Sequence, residues 1–472
     1  MTPPPSSTAL RANSPEARDV ANVIHPYTDL KAHLTNGPLI INRGSGVRVT
    51  DEAGNEYIEA VAGLWCASLG FSNERLVKAA TDQMRKLPFY HTFTAKSHMP
   101  MIDLAEMLIA RAPVPMSKVF FANSGSEAND TAIKMAWYFN NALGRTKKKK
   151  LIGRIKGYHG ITVAASSLTG LPNNHRSFDV PLAGFHHTTT PHFYRGGRPG
   201  ETEEDFATRC AEELEQLILA EGPDTVAAMW AEPVMGAGGV LVPPAGYFPK
   251  IKAVLKKYDV LLVADEVICG FWRTGNYWGT QTFDIEPDIL VCAKALSAAY
   301  LPISAVIVNE RVFQGLAEES HTIGTFGTGY TYSGHPVSAA VAIETLKIYD
   351  EMDIGSHVRE VGAHLQKELR RRFADHELVG EVRGVGLIAA IELVANKETR
   401  QAFDPKQKVG ARLVKILESH GVIGRMLPGD GLAFSPPLII TAEEIDLICN
   451  GVEKALNDMA VELKREQIAV VA

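Results

Sequence analysis

The sequence predicts an α/β protein: a large, doubly wound, mostly parallel sheet with helices on both faces, followed by a smaller α+β domain. Three observations carry this. Between about 115 and 350, short apolar runs alternate with helical patterns, as in successive βαβ units. The runs Val260–Ala264 and Ile289–Ala293 are apolar without alternation, as in strands buried on both faces, and Lys118–Ala122, Leu151–Ile155, Thr225–Ala231 and Ile303–Val308 read as further strands. From about Ile354 the regular alternation stops, which marks a second domain. The boundaries expected are 1–70 for an N-terminal segment packing with the small domain, 71–350 for the large domain and 351–472 for the small one.

Residues 1 to about 18, rich in Pro and Ser, read as a flexible leader. Asp19–Lys31 reads as a short helix carrying His25-Pro26-Tyr27. Leu39–Asp51 and Asn55–Val61 alternate like strands joined at Ala53-Gly54. Trp65 follows, as core or as pocket wall. Glu74–Lys86 and Met99–Ala112 have helical spacing. Between them the proline-broken loop Leu87–Phe93 gathers Phe89, Tyr90, His91 and Phe93, a pocket lining or a packed loop.

The polar residues that matter stand where strands end. Lys118–Ala122 runs into Asn123-Ser124-Gly125-Ser126 and a helix over Glu127–Asn140. Free N–H groups at such a helix start, with serine hydroxyls beside them, suit a phosphate, although a serine there is also an ordinary N-cap. Leu151–Ile155 leads to Gly157-Tyr158-His159-Gly160, where glycines allow close approach and Tyr158 offers a ring face. His175–Gly200 reads as an irregular excursion. Neither His186-His187 nor His192 has acidic or cysteine neighbours at ligand spacing, so no metal is assigned. Thr202–Glu221 is an amphipathic helix, and the next strand delivers Glu232. After the helix Tyr247–Tyr258, a strand ends on Asp265. Ile289–Ala293 ends on Lys294. A lysine there loses hydration, which favours the neutral amine needed to form an imine with an aldehyde cofactor. A carboxylate at the neighbouring strand end could keep a pyridine nitrogen protonated, and a plain ion pair is the simpler alternative. Beyond Ile303–Val308 lie a Gly/Thr/Tyr-rich loop, Gly324–Gly334, and helices over Pro336–Glu351 and Val358–Phe373. Val379–Gly386 leads into a strand over Leu387–Val394. A helix Gln407–His420, a strand-like piece at Val422–Arg425 and a helix opened by the Thr441–Glu444 capping box close the chain.

Composition narrows the function. A chain of 472 residues that is 46% hydrophobic can bury a large core, and its net charge of −6 argues against a general nucleic-acid binder. The basic run Lys147–Lys150 is read as solvated. Five cysteines without paired spacing fit a reducing cytoplasm, and no apolar run is long enough for a bilayer.

Asn123–Asn129, Gly157–Gly160, Glu232–Met235, Ala264–Val267, Ala293–Leu296 and Thr331–Pro336 together resemble, in order and spacing, the motif set of class III pyridoxal-phosphate (PLP) aminotransferases, across roughly residues 20–460. Within that class the likeness is to ω-transaminases using amines and pyruvate. The resemblance implies a fold-type I enzyme with a seven-stranded-type sheet, PLP as cofactor and a homodimer, or a tetramer, with shared sites. By motif position, Lys294 would be the Schiff-base lysine and proton shuttle. Asp265 would bind the ring nitrogen, with His159 close by, and Glu232 would orient Asp265. Tyr158 and Val267 would flank the ring. Ser124, Gly125 and Ser126 would hold the phosphate, with Tyr330 and Thr331 reaching that of the partner subunit. Trp65, Phe93, Tyr158, Ala237 and Arg425 would line the substrate pocket, with Arg425 pairing a substrate carboxylate. Ile161 stands where relatives that use 2-oxoglutarate often carry arginine, which favours pyruvate. Ala295 and Ala299 replace glycines common around the lysine.

The expected reaction is a ping-pong transfer from an amine or ω-amino acid to pyruvate, giving alanine. A decarboxylase or aminomutase of the same family is the alternative. A PLP-bound regulator fused to a DNA-binding module would need a basic helix-turn-helix that the Pro/Ser leader does not supply. Small-molecule amine donor and keto-acid acceptor, no nucleic acid and no membrane complete the expectation.

Overall fold

The structure, a computed structural model, describes residues 13–466. The leader expected at 1–18 therefore lies largely outside the described residues. Its last part is helical: Pro15–Asn22 is a helix capped by Ser14. The helix expected over Asp19–Lys31 is in fact two, Pro15–Asn22 and Leu30–Asn36. Pro26, which lacks a backbone donor, falls in the break between them.

Strands β1 (Ile41–Ser45), β2 (Arg48–Asp51) and β3 (Glu56–Glu59) form an antiparallel meander. The single strand expected over Leu39–Asp51 is folded on itself at Gly46, whose φ of 55° permits the turn.

The large sheet contains β4 (Lys118–Ala122), β5 (Lys150–Arg154), β6 (Phe185–Thr188), β7 (Val226–Ala231), β8 (Leu261–Asp265), β9 (Ile289–Cys292) and β10 (Ser304–Val308), in the order β4-β10-β9-β8-β7-β5-β6. Only β10 runs antiparallel to its neighbours; the other pairings are parallel. Both faces are covered. The helix Gly125–Ala142 buries Ala128, Ala132, Met135 and Phe139 against one face. Glu203–Glu221 and Tyr247–Lys257 bury Phe206, Leu214, Tyr247 and Ile251 against the other. This is why the strands carry apolar residues on both sides. Strand β6 lies inside the stretch read as irregular: four residues at a sheet edge, half of them histidine, gave no apolar run. Lys148, read as solvated, is buried, with its Nζ donating to Tyr258 O at 2.8 Å.

The C-terminal part holds β11 (Val379–Val385), β12 (Ile388–Leu393), β13 (Val422–Ile423), β14 (Arg425–Leu427) and β15 (Gly431–Phe434). The expected lead-in to β12 is itself a strand, β11, paired with it in a hairpin. β11, β12, β15 and β14 form an antiparallel sheet, whereas β13 joins β3 in parallel. The chain changes sheets at Gly424, where a Cβ would lie 2.7 Å from Leu417 Cδ2. Arg425 thus begins a strand whose start is fixed by a close contact behind it. The capping box at Thr441 opens the helix Ala442–Arg465.

Candidate active site

Strands β7, β8 and β9 lie side by side and end at one edge of the large sheet. Glu232 follows β7, Asp265 ends β8, and Lys294 follows β9 by two residues. In open α/β sheets ligands bind at the carboxyl ends of strands. Here a cavity of about 780 Å³ opens at that edge. Its lining includes Gly125, Ser126, Tyr158, His159, Glu232, Asp265, Val267 and Lys294 from the large sheet. Trp65 and Ala237 add walls, and Arg425 enters from the C-terminal part.

Asp265 is 3% exposed and held on three sides. His159 Nδ1 lies 2.8 Å from its Oδ2, Asn129 Nδ2 donates to the same oxygen at 2.9 Å, and Val267 N donates to Oδ1 at 3.2 Å. Asn129 is fixed in turn, because Trp230 Nε1 donates to its Oδ1 at 3.0 Å. Glu232 grips the backbone: Tyr158 N and Gly236 N donate to its two oxygens at 3.0 Å each. It thereby ties the turn bearing Tyr158 to the loop bearing Ala237. Burial raises the Glu232 pKa above the ordinary carboxylate range.

Burial lowers the pKa of Lys294, against the opposing pull of Asp265. The shift is in the direction of the neutral amine. Lys294 adopts a left-handed backbone, φ 50°, at the start of a tight turn. Strain of this kind persists only where surroundings enforce it, and it collects at functional sites. Tyr349 Oη supports the turn by donating to Ala295 O at 2.8 Å.

The anion cradle opposite is the start of the helix Gly125–Ala142, whose first N–H groups have no intrahelical acceptor. Ser124 serves as its N-cap, accepting from Glu127 N at 3.2 Å, and is not part of the cavity lining. Ser126 is: its Oγ accepts from Ile161 N at 3.1 Å, which leaves its hydroxyl proton to donate. A Cβ on Gly125 would come 3.2 Å from both Val267 methyls, so glycine keeps the slot between them open. An apolar slot, a strand-end lysine with a lowered pKa, a fixed carboxylate and a helix N-terminus together fit PLP.

Arg425 lies with its Cζ 5.2 Å from the Trp65 ring, a cation–π contact, and burial lowers its pKa. Tyr158 has its pKa raised by burial and by the neighbouring Tyr27. Tyr27, Asn174 and the segment Leu171–Asn174 also line the cavity, and no role was read for them from sequence. Asn174 Nδ2 donates to Tyr27 Oη at 2.6 Å. Asn129 was legible in principle, as one polar side chain on the buried face of an alanine-rich helix. Phe93, Tyr330 and Thr331 are not brought to this cavity within one chain. Phe93 is half-exposed and sits against Gly329, and Tyr330 Oη donates to Glu127 O at 3.0 Å.

A mainly parallel sheet of this order with these residues at its carboxyl edge defines a fold-type I PLP-dependent transferase. Residues 31–456 match the class-III aminotransferase family model, and the chain belongs to that family. It is 51% identical over 422 residues to "Gamma aminobutyrate transaminase 3, chloroplastic" of Solanum lycopersicum, covering 89% of this chain and 81% of that protein. The crystal structure of the omega transaminase from Pseudomonas jessenii in complex with PMP superposes with a TM-score of 0.94 at 54% identity, over 96% of this chain and 99% of that one. A structure described as "Transaminase with L-ala" matches with a TM-score of 0.88 at 59% identity, over 90% and 100%. The protein is a class III aminotransferase with PLP as its cofactor. Among the described residues no helix is long and apolar enough to cross a membrane.

Proposed function

We propose that this enzyme is an ω-transaminase that moves an amino group from an amine or ω-amino acid to pyruvate, giving alanine, by a ping-pong mechanism. The observation that carries it is Arg425, stacked on Trp65 in the same cavity as Lys294. An arginine fork suits a carboxylate, and a guanidinium beside an aromatic wall also leaves room for an apolar amine. The similar transaminase solved with L-ala and the similar γ-aminobutyrate transaminase support an alanine product and an ω-amino donor.

Bound PLP supplies an aldehyde carbon and an electron-accepting ring. Lys294, whose pKa burial lowers, would hold the cofactor and would accept and return the proton of the amine-bearing carbon. Asp265, fixed by Asn129 and His159, would place negative charge beside the ring nitrogen. Gly125 and Ser126 would hold the phosphate, with Ser124 capping the helix they open. Tyr158 and Val267 would flank the ring, and Glu232 fixes the Tyr158 turn. Trp65, Ala237 and Arg425 select the substrate.

The site is completed by a second copy. Phe93, Tyr330 and Thr331 lie away from the cavity of their own chain, which supports a homodimer in which they serve the partner's site. The three-part division at 70 and 350, and a cytoplasmic location in keeping with five free cysteines, belong to the same reading.

The test is a panel of amines and ω-amino acids offered with pyruvate and with 2-oxoglutarate, scoring alanine, glutamate and CO₂. Alanine from pyruvate, abolished in Lys294→Ala, is expected. Glutamate alone would overturn the acceptor, and CO₂ release without alanine would overturn transamination as the reaction.

A further inference from the structure

Away from the lysine, the N-terminal segment brings together three side chains with metal-ligating atoms. Asp19 Oδ1 lies 2.7 Å from His25 Nε2 and 3.2 Å from His33 Nε2, and all three atoms fall within 4.8 Å of one another. The imidazoles converge on one carboxylate oxygen with ring centroids 4.5 Å apart. A tetrahedral ion with bonds of ~2.0–2.1 Å holds its donors ~3.3 Å apart. A small outward movement of the Asp19 oxygen would therefore admit an ion, and two histidines with one carboxylate leave a fourth position for water.

The surroundings suit a cation. Among the described residues no lysine or arginine forms an ion pair with Asp19. The other such group, His192 with Glu381 and Glu392, differs on this point. Arg383 Nη1 lies 2.5 Å from Glu381 and 2.6 Å from Glu392, and Arg195 Nε lies 2.6 Å from Glu392, so those carboxylates are already neutralised. The mechanical context points the same way. The helix Pro15–Asn22 buries no side chain, and His33 is the sole buried residue of Leu30–Asn36. Two short helices without an apolar anchor are joined at this cluster, and the loop between them carries Pro26 and Tyr27 into the wall of the cavity.

We propose that Asp19, His25 and His33 form a binding site for a divalent transition metal of the zinc class, which staples the two N-terminal helices and so fixes the Pro26–Tyr27 wall. Ligation at both Nε2 atoms places each ring proton on Nδ1. No metal was assigned from sequence, and Asp19, His25 and His33 follow no familiar ligand spacing.

The test uses the PLP-loaded enzyme, stripped with chelator and titrated with Co²⁺ alone, then with Zn²⁺. One Co²⁺ per chain with tetrahedral d–d absorption, and a rise in Tm with Zn²⁺, are expected in the wild type and lost in Asp19→Asn and His33→Asn. His25→Asn, at the most exposed of the three positions, carries the test should His33→Asn fail to fold. The absence of bound Co²⁺ in the wild type, or binding that survives these substitutions, would overturn the site.

Discussion

Asn129 and Asp265 are joined by a 2.9 Å hydrogen bond, and Asn129 Nδ2 also donates to His159 O at 2.7 Å. One amide from the helix at the sheet edge therefore sets both the aspartate and the backbone of the histidine that faces it. Asn129→Ala leaves the Trp230 N–H without its acceptor and removes a donor from Asp265. The loss of buried partners should cost about 1–3 kcal/mol of stability. Asn129→Asp should act more sharply, since a second carboxylate beside Asp265 favours protonation of one of the pair. It should weaken PLP binding more than Asn129→Ala does. Thermal unfolding with PLP titration checks both. Equal PLP affinity in the wild type and Asn129→Asp would mean that this bond does not govern the aspartate's charge.

Glu59 ends β3 and accepts from Val61 N at 2.9 Å, at the base of the turn that presents Trp65. Burial raises its pKa from 4.5 to about 7. The folded state thus keeps a proton that the unfolded chain releases. Below the unfolded value both are protonated; between 4.5 and about 7 stability is lost as pH rises, by up to about 3 kcal/mol for this group alone. Glu59→Gln removes the titration. The Tm of this variant relative to wild type should therefore rise on going from about pH 5 to about pH 8. A difference independent of pH would show that Glu59 titrates normally in the folded protein.

Legibility in the sequence followed burial. β7, β8 and β9 were plain because both faces of each are covered, so their apolar runs are uninterrupted and the charges that end them stand out. β6 was hidden, since an edge strand of four residues with two histidines has no such run. The helix break at Pro26 and the hairpin at Gly46 were missed although each carries an ordinary breaker, because the helical and alternating patterns continue across them. The hold of His159 and Asn129 on Asp265 depends on side chains far apart in the chain, and no local spacing records it.

Ala298 and Ala299 are consecutive residues in the left-handed region, with φ of 49° and 65°, just past the lysine turn. A Cβ is disfavoured there by roughly 1–2 kcal/mol relative to glycine. Ala299 is exposed, so glycine at that position leaves no cavity. After allowing for glycine's greater entropy in the unfolded chain, Ala299→Gly should stabilise the enzyme by up to about 1 kcal/mol. Denaturant unfolding measures this directly. A clear loss of stability would show that contacts of the Ala299 methyl outweigh the backbone strain.

Arg425 is the group whose removal should separate substrates by charge. It stands half-buried over Trp65, with burial working against its positive form, so a substrate carboxylate entering the cavity meets a poorly hydrated guanidinium. Charge-assisted hydrogen bonds of this type contribute about 1.5–3 kcal/mol. Arg425→Leu keeps an apolar side chain beside the indole and deletes the fork. KM for pyruvate and for ω-amino acids should then rise by about 10- to 100-fold, whereas kcat/KM for the first half-reaction with an amine lacking a carboxylate should stay within a few-fold of wild type. Single-turnover absorbance of the bound cofactor separates that half-reaction from the keto-acid step. A parallel loss for charged and uncharged donors would show that Arg425 shapes the cavity wall with Trp65 and does not recognise the carboxylate.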